Sequence, residues 1–137
     1  MKIPKTLNAE ALLRDRWRKV YSWARKRSKR VPRLSLAVGC RQILNRRGHD
    51  LRAFFHVGHV PGKVCTVLAA AKLSDNHLVG LILHELGHPM AQAAWGYSEQ
   101  EQADAAVHAF LGVKIRYKNF LVLQWVPTHV AMRILKG

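Results

Sequence analysis

The stretch from Leu78 to Ala94 constrains this chain most: it is apolar enough to demand burial, yet His84, Glu85, His88 and Pro89 interrupt it. Leu78, Val79, Leu81, Ile82, Leu83 and Leu86 would cover most sides of a helix over this run. A helix apolar nearly all round belongs in a core. A membrane span is the other home for such a run, but the ionisable groups and the proline near its middle exclude it. Ser74 or Asp75 offers the N-cap. Two imidazoles and a carboxylate inside a buried helix are costly unless something compensates them.

Their spacing suggests what does. Residues i and i+4 lie one above the other on a helix, so His84 and His88 can both face one metal ion. Imidazole suits zinc, and a catalytic zinc keeps three protein ligands and an open position for water. Glu85 sits one residue round the helix, where its carboxylate reaches the water rather than the metal. Zinc lowers the pKa of that water to roughly 7, and the glutamate accepts its proton as a polarised carbonyl is attacked. The expectation is a zinc-dependent hydrolase with His84 and His88 as ligands and Glu85 as general base. Pro89 withholds an N–H from the Glu85 carbonyl and disfavours helical geometry at His88, so the helix is expected to kink or stop there. His77, seven residues before His84, reads as an exposed histidine at the helix start rather than a group behind the metal.

The third ligand is sought on the next helix, which Ser98 begins and Gly112 ends. Ala103, Ala106, Val107, Phe110 and Leu111 form its inner face, while Glu101, Asp104 and His108 share a polar stripe. Glu101 is the first candidate for a two-histidine, one-carboxylate site and Asp104 its rival. Ser98-x-x-Glu101 also fits a capping box, and Glu99 suits a first-turn acid facing the helix dipole. A donor to the developing oxyanion is expected opposite Glu85. Tyr97, His108, Arg116 and Tyr117 all qualify, and the sequence does not choose among them.

HELGH followed by a helix with an E-x-x-A-D-like pattern resembles the small bacterial and phage metallopeptidases of the ImmA/IrrE type. It is also similar to the HtpX-type membrane peptidases, without their membrane spans. The resemblance covers residues 74–111, about a quarter of the chain. It implies a single zincin-like minimal metallopeptidase domain acting on a protein or peptide substrate. Zinc would be held by the motif histidines and a glutamate of the following helix, with the motif glutamate as general base. Carried over, this gives His84, His88 and Glu85. The chain departs from the pattern at the family glutamate, four residues before the Asp/Asn of the A-D pair. Gln100 holds that position here, and Glu101 stands three before. By the same analogy the strand at 62–68 would be the edge that pairs with an extended peptide.

The remaining sequence sets the frame. At 137 residues the chain suits one compact unit, here divided into a basic N-terminal helical arm (1–33) and a catalytic domain (34–137). The net charge of +15 is uneven: residues 1–33 hold 12 Lys/Arg against Glu10 and Asp15, and the other 104 residues hold 11 against 6 acids. Such a cluster gains affinity for polyanions by releasing counterions, which makes nucleic acid a candidate partner of segment 14–33; a solvated helix face is the plainer reading. The alternative to an enzyme is therefore a basic nucleic-acid-binding or phage assembly protein with a structural or decayed HExxH zinc site.

A helix is expected from Asn8 to about Arg27, with Leu13, Trp17, Val20, Tyr21 and Ala24 as its stripe. A second helix is expected over Leu34–Asn45, strands within 54–71, a hairpin over 113–126 and a last helix from Thr128, giving an α+β class. Cys40 and Cys65 are too few for a disulfide framework. No apolar signal region precedes the first charges, so a cytoplasmic protein is expected, away from membranes.

Overall fold

The computed structural model describes residues 5–38, 55–57, 62–66, 73–97, 99–117 and 124–137. Cys40, most of the expected second helix, residues 54, 58–61 and 67–71 of the expected strand segment, Ser98 and the tip of the expected hairpin lie outside them. Four helices and two small sheets make a mostly helical α+β arrangement among the described residues.

Helix α1 (Lys5–Arg27) begins three residues before Asn8 and ends where expected. Leu13, Trp17, Val20, Trp23 and Ala24 are buried in the same core that takes the central helix. Pro32 then bars helix at Val31, and the next residues alternate: Arg33 and Ser35 are exposed, Leu34 and Leu36 half-buried. That period of two makes β1 (Ser35–Val38), a strand where the start of a helix was expected.

Strand β1 pairs in parallel with β3 (Lys63–Thr66), from Ser35 opposite Lys63 to Val38 opposite Thr66. Strand β2 (Phe55–Val57) pairs antiparallel on the other side of β3. The order β1-β3-β2 corrects the expectation that the strand at 62–68 is an open edge. Over Val64–Thr66 its backbone is paired on both flanks, so that stretch is not an edge to which a peptide strand could be added.

The central helix α2 (Asp75–Trp95) is followed by α3 (Gln100–Leu111), β4 (Arg116–Tyr117), β5 (Gln124–Trp125) and α4 (Thr128–Lys136). Two glycines let backbone press against α2. A Cβ on Gly80 would lie 2.7 Å from the Trp125 Cα, and one on Gly87 would lie 2.2 Å from the Ala103 carbonyl oxygen. The first contact seats β5 and the second seats α3. Of the kink or stop expected at Pro89, the stop does not occur: α2 runs on to Trp95 and closes at Gly96, whose φ is +70°. Met90 and Ala91 are fully buried, and this packing holds the last turns where one backbone bond is missing.

The start of α2 is tied to the hairpin. His77 is half-buried rather than exposed, with Nδ1 3.2 Å from the Gln124 carbonyl. Asn76 donates to the Val126 carbonyl and to Thr128 Oγ1, at 3.2 and 2.7 Å. In β4 and β5 Arg116 faces Trp125 and Tyr117 faces Gln124. The alternation before them holds, with Val113 and Ile115 buried and Lys114 and Arg116 exposed. Helix α1 is fastened at both ends of the helical pair: Arg16 Nε donates to Asp75 Oδ1 at 2.8 Å, and Arg27 Nε to the Leu111 carbonyl at 3.1 Å. No helix among the described residues is long and apolar enough to cross a membrane.

Candidate metal centre

His84, Glu85 and His88 lie together on α2, with one ligand atom from each within 4.8 Å of the others. The one-turn spacing stacks the two imidazoles, whose rings meet edge to face at 4.9 Å between centroids. His84 is 1% exposed and Glu85 8%, while His88 is half-buried toward the surface. Among the described residues, these are the His, Cys, Asp and Glu side chains that gather closely enough to hold one ion.

Helix α3 supplies the surroundings. Gly87 allows the α3 backbone to close on α2, and Gln100 and Asp104, themselves one turn apart, straddle the His84 ring. Asp104 Oδ1 is 2.7 Å from Nδ1, and Gln100 Oε1 meets Nε2. The Tyr117 hydroxyl donates to Asp104 Oδ2 and lies 3.4 Å from Nδ1. Both oxygens of Asp104 are thus engaged behind His84, on the side away from Gln100.

Glu101, the first candidate for the third ligand, is exposed; with His88, Glu99 and Gln100 it lines an open cleft of about 560 Å³. Glu99 is the N-cap, and its N–H donates to the side chain of Gln102, the N3 residue, at 3.2 Å. The expected box on Ser98 and Glu101 is therefore displaced by one residue. With the Ala103 backbone against Gly87 and Asp104 at His84, the residue one turn before Asp104, Gln100, shares the His84 face, and Glu101 projects about 100° away from it.

Electrostatics follow from the burial. Desolvation pushes the Glu85 carboxyl well above the usual range, and the nearby negative charge of Asp104 pushes it the same way. Burial also raises the Tyr117 phenol well above its ordinary value, helped by its bond to Asp104. It is a neutral donor at any ordinary pH. Of the other expected oxyanion donors, Tyr97 is half exposed, His108 is exposed, and Arg116 reaches over the Trp125 ring at 5.8 Å.

The chemistry available is a pair of imidazoles beside a buried carboxyl, with one imidazole fixed by a carboxylate and a phenol. Sequence reasoning gave Tyr117 only as one of four candidate oxyanion donors, not as the partner of Asp104, and gave Gln100 only as a departure from a pattern. A signal for Gln100 was present: Gln100 and Asp104 repeat the one-turn spacing of His84 and His88. Compared with protein-family models, with curated proteins and with solved structures, the chain matches none.

Proposed function

We propose that this chain is a zinc-dependent hydrolase, and in substrate class a metallopeptidase. The observation that carries the reading is the grip on His84. Asp104 Oδ1 lies 2.7 Å from His84 Nδ1, the arrangement in which a carboxylate accepts the Nδ1 proton of a metal-binding histidine and leaves Nε2 for the ion. The Gln100 side-chain oxygen stands on the Nε2 side of the ring. The donor set of two imidazoles and a neighbouring carboxyl suits zinc better than magnesium or calcium, which take oxygen ligands.

His84 and His88 would hold the ion, with Gln100 at the third corner in place of Glu101. Zinc supplies Lewis acidity, polarising a carbonyl and making water a stronger acid. Glu85 is the buried carboxyl placed to accept a proton from the attacking water and return it to the leaving amine. Asp104 fixes the tautomer of His84, and Tyr117 fixes Asp104. The cleft beside His88 receives the substrate; the choice of a peptide rests on the family resemblance of residues 74–111.

The test is zinc content after supplementation together with cleavage of unstructured protein substrates. About one zinc per chain is expected. Glu85→Gln should keep the metal and lose about 10²–10⁴ in rate. Protein that stays free of metal would end the proposal. Gln100 favours one second reading, in which a neutral third side chain marks a zinc site that organises the fold without cleaving anything. Full zinc occupancy with no cleavage of any substrate would select it.

A further inference from the structure

The arginines of α1 are arranged as well as numerous. Arg14, Arg18 and Arg25 are separated by four and seven residues, which places them within about 40° of one another on the helix, some 6 and 10 Å apart along it. They line one wall of a groove of about 590 Å³ whose other wall is Leu34, Ser35 and Leu36 at the edge strand β1. A second hollow, between α1 and α4, is lined by Arg18, Lys19, Lys26 and Lys136. The two share Arg18 and Ser22, so one cationic surface runs from β1 across α1 to the end of α4.

Little opposes this charge. Glu10 pairs with Arg14, and Asp15 is shared by Arg16, Arg18 and Lys19. Arg25 donates to the neutral carbonyl of Val31, which leaves its charge uncompensated. We propose that this surface binds the phosphate backbone of nucleic acid without reading its sequence. The arginine spacings come to about two and three rises of a strand at ~3.4 Å per nucleotide. Planar guanidinium forks suit phosphate oxygens. Trp17 and Trp23, the tryptophans that line the two hollows, are buried at 7% and 9% exposure, so neither offers bases a stacking platform. Among the described residues, the large exposed apolar side chains, Leu12, Trp95, Tyr97, Tyr117 and Met132, line neither hollow, so none of them would insert into a lipid leaflet from this surface.

The test is fluorescence anisotropy of the full chain with 20-nucleotide single-stranded and duplex oligonucleotides of unrelated sequence, across a salt series. Binding should be indifferent to sequence, and log K should fall linearly with log salt. R14Q/R18Q/R25Q should weaken binding at least about tenfold near 0.1 M salt and reduce the slope by about 2 to 3. A charge-matched control, K63Q/K114Q/R133Q, should change it far less. Should the first triple variant lose its circular dichroism spectrum, R18Q/K26Q/K136Q replaces it, with the same loss expected. No binding at low salt would overturn the proposal, as would equal losses in variant and control. So would displacement by polyglutamate as effective as by oligonucleotide at matched charge, or binding to anionic vesicles with oligonucleotides inert.

Discussion

The α2–α3 contact and the outer face of α1 use polar side chains in opposite ways. Between α2 and α3, His84, Glu85, Asp104 and Gln100 are few and close: His84 and Glu85 are buried, Asp104 is half-buried, and Gln100 stands at the exposed rim. Their positions are set by backbone approach, above all at Gly87. On α1 the charges are many and solvated, and removing any one leaves its neighbours in water. Burial makes a polar group dependent on its partners, whereas exposure makes it nearly interchangeable. The first region is suited to holding one small ion, the second to meeting a long polyanion.

The sharpest way to break this contrast is at Gly87. Gly87→Ala would place its Cβ 2.2 Å from the Ala103 carbonyl oxygen and force the helices apart. A loss of about 1–3 kcal/mol is expected, read as a lower thermal midpoint, together with loss of zinc binding. Next comes Asp104→Asn, which removes the charge behind His84; zinc affinity should fall about 10–100-fold by competition with a chelator. Gln100→Glu works in the other direction. A carboxylate at the third corner should tighten zinc binding by about tenfold, near 1.4 kcal/mol, and no gain would place Gln100 away from the metal.

The smallest effect is expected on α1. Burial alone would raise the Asp15 carboxyl, but hydrogen bonds from Arg16, Lys19 and Arg18 outweigh it and hold the carboxyl below its usual value. A carboxyl lowered by folding adds stability above its unfolded pKa of about 3.9, and that stability disappears as pH falls through the folded value. Asp15→Asn should therefore cost less than about 1 kcal/mol near pH 7 and nothing at lower pH. Denaturant midpoints of both proteins across pH 2–7 measure this.

Much of this was legible because local rules governed it. The stripe of α1, the buried run of α2, the alternation from Val113 to Arg116 and the glycine end at Gly112 follow from periodicity and backbone freedom. The pairing of His84 with His88 follows from helical spacing alone. What escaped was decided between elements. Residues 35–38 are a strand because β3 lies beside them, and β3 is central because β1 and β2 flank it. Pro89 is carried inside a helix because Met90 and Ala91 are packed. Gln100 turns toward His84 because Ala103 packs on Gly87 and Asp104 on His84, which puts the residue one turn before Asp104 on the same face. Neither Tyr117 nor Gly87 announces its role until β4 and α3 are in place.

The fastenings of α1 also bear on the order of assembly. The bond from His84 to Asp104 spans 20 residues, whereas Arg16 to Asp75 spans 59 and Arg27 to Leu111 spans 84. Shorter loops close at lower entropic cost, so the α2–α3 pair can condense before α1 is captured. During synthesis the sequence runs the other way: α1 leaves the ribosome before α2, α3 and α4, its stripe of Leu13, Trp17 and Val20 uncovered until the helices that bury it have been made. Its arginines then keep the waiting segment in water, a service to the nascent chain that ends when Arg27 reaches the carbonyl of Leu111.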